Sequence, residues 1–183
     1  SKDIDLLISQ TKRCSEILKQ ISKKQIKEDQ FFSKTSIDSL LNEIIESFKE
    51  TSSKKLILNS EKYNNKFTLQ RSPELIYGLR NFIGNAVKFS RSIVEIEVKS
   101  DLTNLEVLIN DDGPGFPEDI KLNLGEPYIK SKSTKVISNT GTGLGTFLGK
   151  TLLERKGAKI IFSNNSKMGA SVQVSLNLKD IAK

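Results

Sequence analysis

The sequence predicts an α+β domain, a two-layer sandwich in which helices cover one face of a mixed sheet, preceded by a long N-terminal helix. Three observations carry this. Residues 1 to about 29 hold apolar residues at helical spacing without Gly or Pro. Two further segments with apolar residues 3.6 apart each open on a capping signal. Alternating runs of period two come in pairs separated by short polar stretches, as hairpins require.

The N-terminal segment puts Ile4, Leu7, Thr11, Cys14, Leu18 and Ile21 on the a and d positions of a heptad. One helix cannot bury that seam alone, so it wants a partner helix from an upstream part, a second copy, or both; the alternative is a helix packed on its own domain. Lys23 to Gln30 is polar and reads as the helix end and a linker, giving a division at 1–30 and 31–183. Phe31 to Thr35 reads as a short strand, and Ser36 as the N-cap of a helix from Ile37 to about Lys49, with Leu40, Leu41, Ile44, Ile45 and Phe48 as its stripe. Lys55 to Asn59 and Lys66 to Gln70 read as strands around the turn Tyr63-Asn64-Asn65. Ser72-Pro73-Glu74 supplies a cap, an N1 proline and a first-turn acid, a firm helix start.

That helix carries Leu79 to Ser90, LRNFIGNAVKFS. At 100° per residue, Leu79, Phe82, Ile83, Ala86 and Val87 form an apolar stripe, while Asn81, Asn85 and Lys88 share another face; Glu74 projects the same way. Two carboxamides and an ammonium are weaker helix formers than the Glu and Lys of a plain solvent face. They suit a metal ion held through an amide oxygen and a phosphate held by a cation, or a half-buried polar face.

Ile93 to Lys99 and Leu105 to Asn110 form an expected hairpin across 100–104. From Asp111 the chain is irregular until about Gly145, a length that in a compact domain marks a functional or mobile segment. A helix from about Leu144 to Lys156 is ended by Gly157, and Ala158 to Ser163 with Ala170 to Leu178 forms the last hairpin. No internal repeat is present.

Composition narrows the chemistry. The 183 residues suit one sizeable domain with a helical extension, and the chain opens inside a helical pattern, as a piece of a longer protein would. No apolar run is long enough to span a bilayer, and no signal peptide begins at Ser1. The net charge of +7 is spread along the chain with no block of five basic residues, which reads as a solubility surplus and argues against nucleic acid. One cysteine excludes an intramolecular disulfide framework and fits a reducing compartment. The absence of His excludes His-ligated zinc, a Ser-His-Asp triad and an internal phosphoacceptor His within these residues.

Two glycine-rich stretches complete the candidate site. Asp111-Asp112-Gly113-Pro114-Gly115-Phe116 lies where a strand runs into a loop, with glycines that let backbone approach a ligand and an acid able to accept from an exocyclic amine; an ordinary turn has the same composition. Gly141-Thr142-Gly143-Leu144-Gly145 opens a helix, where converging amides and the helix dipole favour a polyphosphate. It is neither a Walker A loop nor the dinucleotide pattern.

An Asn-bearing helix, a strand ending in D-x-G-x-G about 26 residues after Asn85, a long irregular segment and then G-T-G-L-G opening a helix form one constellation. It resembles the ATP-binding domain of sensor histidine kinases, in the superfamily shared with gyrase, Hsp90 and MutL, over Thr35 to Leu178. Leu79–Ser90 looks like the N box, Asp111–Gly115 the G1 box, Glu126-Pro127-Tyr128 the F box and Gly141–Gly145 the G2 box. The resemblance implies the Bergerat ATP-binding fold and a cofactor pair of ATP and Mg²⁺. It implies Asn85 as the Mg²⁺ ligand, Asn81 and Lys88 at the phosphates, and Asp111 on the adenine amine, with Gly113 and Gly115 passing the base. It further implies Tyr128 beside the nucleotide, Gly141, Thr142, Gly143, Leu144 and Gly145 cradling phosphate, and a lid over Lys130 to Thr140.

The resemblance also makes residues 1–30 the second helix of a dimerisation and His-phosphotransfer hairpin, with the phosphoacceptor His upstream of Ser1. The activity implied is transfer of the γ-phosphoryl to that His and on to an Asp of a response regulator receiver domain. The implied setting is a homodimer on the cytoplasmic side of an inner membrane, anchored through other parts of the protein. Gln10–Cys14, Leu124–Pro127 and Lys150–Arg155 are close to the RegB/PrrB-type redox-responsive subfamily, which makes Cys14 either a redox site or a small apolar seam residue. The rivals are another ATPase or an anti-sigma-type serine kinase of the superfamily, and a non-catalytic dimerisation scaffold with vestigial nucleotide loops.

Overall fold

Ser36 caps the first helix as expected. Its Oγ accepts the Ser39 amide at 3.1 Å, satisfying a donor that the helix itself cannot. Helix α1, Ile37–Lys49, buries Ile37, Leu40, Leu41, Ile44 and Ile45 along one stripe. At the next start, Ser72 Oγ accepts from the Leu75 amide at 3.3 Å and Pro73 takes the N1 position. Helix α2, Pro73–Phe89, follows and buries Leu75, Leu79, Phe82, Ile83 and Ala86. Helix α3 is Gly145–Glu154, and a single turn, α4 at Leu178–Ile181, closes the chain without having been expected. In this computed structural model, residues 34–62, 68–127, 144–165 and 169–182 are described. The heptad arm therefore lies outside the described residues. The chain divides into two units, Ser1–Ser33 and Lys34–Lys183.

The strands are β1 Lys34–Thr35, β2 Lys55–Lys62, β3 Leu69–Gln70, β4 Ile93–Ser100, β5 Asn104–Asp111, β6 Lys159–Asn165 and β7 Gly169–Asn177. The main sheet runs β2-β4-β5-β7-β6. Its β4–β5, β5–β7 and β6–β7 pairs are antiparallel, whereas β2 pairs β4 in parallel. A parallel pair needs a crossover connection, and α2 supplies it. The strands flanking Tyr63-Asn64-Asn65 therefore do not pair with each other: β3 pairs antiparallel with β1 in a small separate sheet.

Alternation decides the faces. Val94, Ile96 and Val98 of β4 and Leu105, Val107 and Ile109 of β5 are buried, and the register aligns them with Val172, Val174 and Leu176 of β7. Contacts from α1 to β2, from α2 to β4 and β5, and from α3 to β6 put the helices over that one face. Each large aliphatic or aromatic side chain withdrawn from water there contributes about 1.5–3 kcal/mol.

Two glycines let α2 and α3 approach closely. A Cβ at Gly78 would sit 2.5 Å from Leu153 Cγ, and one at Gly149 would sit 2.7 Å from Phe82 Cε1. Both partners are fully buried and have no free direction to move. Gly149→Ala should therefore lower stability by about 1–3 kcal/mol through overpacking. That outweighs a helix-propensity gain of at most about 1 kcal/mol. Thermal unfolding of the variant checks this, and an unchanged or raised Tm would contradict the packing.

Candidate functional site

The polar face of α2 meets the start of α3. Asn81 Nδ2 donates to the Tyr77 carbonyl at 2.8 Å, which occupies its amide end. Asn85 Nδ2 donates to Thr146 Oγ1 at 3.2 Å, tying the two helices together. The two carboxamide oxygens then face the same place. A Cβ at Gly145 would lie 3.2 Å from Asn85 Oδ1 and 3.7 Å from Asn81 Oδ1. The N-cap residue of α3, Leu144, supplies no side-chain cap, so the first amides of the helix and its dipole suit an anion. Lys88 is exposed on the same helix, with Nζ 5.1 Å from the centroid of the Phe89 ring. Glu74 stays in the first turn of α2.

The second half of the site is at the end of β5. Asp111 is 4% exposed and lies on the helix-covered side, opposite Val94. Its Oδ1 accepts from the Gly113 amide at 2.8 Å and from the Ala170 amide at 3.3 Å. Both bonds fall on Oδ1, so a donor arriving from a ligand would meet Oδ2. Burial pushes the Asp111 carboxyl above its ordinary range, the two amides pull it back in part, and the neighbouring Asp112 charge adds to the rise.

Asp112, one residue on, does a different job. It accepts from the Arg91 amide at 2.7 Å, the Ser92 amide at 3.0 Å and Ser92 Oγ at 2.6 Å. Its own amide donates to the Ile93 carbonyl. Burial acts against its charge, but the bonds from Ser92, Ile93 and Arg91 together outweigh it and hold the carboxyl well below the usual range. Asp112 secures the turn from α2 into β4, and Asp111 is the acid left for a ligand.

The loop after Asp111 lies between the two halves. A Cβ at Gly113 would run into the Phe89 carbonyl oxygen at the end of α2. From the other side, Gly169 (φ +88) supports it: a Cβ there would sit 2.6 Å from Gly113 O and 2.7 Å from Gly113 N. Thus the C-terminal half of α2, the start of α3, the 111–116 loop and the start of β7 share one region. Along α2, Asn81 and Asn85 adjoin Gly145, and the Phe89 carbonyl adjoins Gly113, whose amide Asp111 holds; Leu144 precedes α3 and Gly115 is in the loop. Tyr128, Gly141, Thr142, Gly143, the lid over 130–140 and Cys14 lie outside the described residues.

Sequence reasoning missed Thr146, Gly169 and Ala170. The pairing of β5 with β7 brings Ala170 to Asp111, and no local pattern in the sequence announces that pairing. Among the described residues no cluster of three His, Cys, Asp or Glu side chains is present. An amide oxygen such as Asn85 Oδ1, together with ligand oxygens, is a donor set that fits Mg²⁺. No helix among the described residues is long and apolar enough to cross a membrane.

The chain is similar in sequence and in fold to known proteins. The chain is 41% identical over 99 residues to the sensor histidine kinase RegB of Cereibacter sphaeroides, an alignment covering 51% of this chain and 21% of RegB. The chain thus spans about a fifth of the length of that relative. The mycobacterial sensor histidine kinase MprB superposes with a TM-score of 0.66 at 19% identity, covering 79% of this chain and 97% of that one. Full-length ShkA in complex with AMPPNP superposes with the same score and identity, over 82% of this chain and 31% of that one. At those identities the superpositions establish the fold, a histidine kinase catalytic-domain architecture. Residues 71–180 match the family model described as histidine kinase-, DNA gyrase B- and HSP90-like ATPase. The match takes in α2, the Asp111 loop, α3 and the last hairpin, and this chain belongs to that family.

Proposed function

We propose that this chain is the MgATP-binding catalytic part of a two-component sensor histidine kinase. The observation that carries the reading is a pair of features on one fold: a buried carboxylate, Asp111, whose described bonds fall on one oxygen, and two carboxamide oxygens at the start of α3, where Leu144 supplies no side-chain cap. Asp111 accepts from the adenine amine, while Gly113 and Gly115 carry the backbone past the base. Asn85 holds Mg²⁺ through Oδ1, Asn81 and Lys88 attend the phosphates, and the α3 start with Gly141, Thr142, Gly143, Leu144 and Gly145 cradles them. Tyr128 borders the nucleotide. The bound metal supplies neutralisation of phosphate charge. The protein groups bind, orient and exclude water; none of them attacks phosphorus.

In the reaction, the bond from the γ-phosphorus to its bridging oxygen breaks and ADP leaves. A bond from phosphorus to an imidazole nitrogen forms, and the imidazole proton passes to solvent. The phosphoryl group then moves to a carboxylate oxygen of a response regulator receiver domain. Residues 1–183 hold no His, so the acceptor comes from another segment. Residues 1–30 belong to a dimerisation hairpin, residues 31–183 to the catalytic domain. The domain works on the cytoplasmic side of a membrane-anchored homodimer, with Cys14 a redox candidate on the dimer seam.

Incubation with γ-labelled ATP tests this. The chain alone should remain unlabelled and should label a separately supplied His-bearing dimerisation hairpin of its own full-length protein, with acid-labile, alkali-stable phosphate. Labelling of serine, or ATP hydrolysis with no transfer, would overturn the reading in favour of another activity of the family.

A further inference from the structure

The loop that leaves Asp111 is tied down at its far end by a residue two strands away. Asn164 of β6 pairs in register with Ala170 of β7, the residue whose amide holds Asp111. Its carboxamide engages the Phe116 backbone at both ends: the Phe116 amide donates to Asn164 Oδ1 at 2.6 Å, and Asn164 Nδ2 donates to the Phe116 carbonyl at 2.8 Å. One side chain thus reproduces the paired donor and acceptor of a neighbouring strand, for a segment that joins no sheet among the described residues. The fit is close. Gly115 has φ +78, and a Cβ there would come within 2.9 Å of Asn164 Oδ1.

Phe116 is held by its ring as well. It packs edge-on against Phe162 of β6 with centroids 5.8 Å apart, and Phe162 packs edge-on at the same distance against Phe82 of α2. The loop therefore arches from Asp111 on β5 over Gly169 and Ala170 to β6, anchored at both feet. Glycines let it lie close to its floor. At the far foot the Asn164 carboxamide holds the Phe116 backbone and the Phe162 ring holds its side chain.

We propose that Asn164 is a positioning residue for nucleotide binding: by clamping Phe116 it sets where the 113–116 loop runs against the base. The inference rests on the nucleotide reading above and names a residue that reading does not use. It acts on the base side only, because no phosphate-side group touches Asn164 among the described contacts. The bonds are exposed, so the effect is graded and not all-or-none.

Calorimetric titration of the 183-residue chain with MgADP, and competition by magnesium tripolyphosphate, which lacks a base, test the clamp. Asn164→Ala should weaken MgADP about three- to tenfold, leave tripolyphosphate competition unchanged, and raise hydrogen exchange at the Phe116 amide. Asn164→Ser, a smaller change, should act in the same direction and serves if the alanine variant fails to fold. Unchanged MgADP affinity, or equal weakening of MgADP and tripolyphosphate, overturns the clamp. A wild-type chain that binds no MgADP overturns the nucleotide reading itself, which separates the two failures.

Discussion

Asp111→Asn should weaken MgADP binding by about 10- to 100-fold while leaving the fold intact. The carboxamide oxygen can still accept from the Gly113 and Ala170 amides, the two bonds that place the side chain. Its nitrogen then faces the ligand, setting donor against donor where the carboxylate set acceptor against amine. A hydrogen bond to a charged group contributes about 1.5–3 kcal/mol, and each 1.4 kcal/mol is a factor of ten. Stability should move the other way. Burial raises the Asp111 carboxyl, so its contribution to stability is full below the ordinary carboxylate pKa and is lost as pH rises through the raised value. The neutral asparagine removes that loss, and the variant should gain on the wild type between acid and neutral pH. In the proposed site the adenine amine meets the ionised carboxylate, so wild-type affinity should fall, on acidification, at a higher pH than an ordinary carboxylate would give. Calorimetry and thermal unfolding across pH read both trends, and unchanged affinity in the variant would remove Asp111 from the site.

Gly169→Ala should cost both stability and nucleotide affinity. Its φ of +88 lies where a side chain meets the backbone, a cost of about 1–2 kcal/mol. The added Cβ would also overlap Gly113 O and N and Asp111 Oδ1, none of which can rotate clear. Overpacking of that kind adds about 1–3 kcal/mol. At 2–4 °C per kcal/mol for a chain of this size, Tm should drop by roughly 5–15 °C. Gly157→Ala is the control. Gly157 has φ +76, but its near neighbour is the Asp180 carboxylate, which can swing away. Only the conformational cost remains there, and nucleotide affinity should be untouched. Equal effects at both positions would show that Gly169 does not support the Asp111 loop.

The elements legible in the sequence were those set by local chemistry. Ser36 and Ser72 capped the helices they announced, and the alternation in 93–99 and 105–110 became β4 and β5. Pairing partners were less legible. Two-residue strands such as β1 and β3 carry no periodicity, and nothing local in 55–59 said that β2 would run parallel to β4. The site divides in the same way. Helical spacing put Asn81 and Asn85 on one face, and the D-x-G-x-G order marked the end of a strand. Asn164 and Ala170 were invisible because they reach the loop across 48 and 59 residues of chain. Asp111 and Asp112 are the same residue type in sequence; only the pleat, which turns Asp111 under the helices and leaves Asp112 to cap the turn at Arg91 and Ser92, separates a ligand group from a structural one.

The central claim is that this fold builds an adenine nucleotide site around Asp111. Calorimetric titration of the chain with MgADP and with MgGDP tests it most directly. A carboxylate accepts from the exocyclic amine of adenine and is opposed by the carbonyl oxygen that guanine carries at the same ring position. One MgADP should bind per chain, and MgGDP should bind at least about tenfold more weakly, the value of one hydrogen bond to a charged group. No MgADP binding, or equal binding of the two, would contradict it.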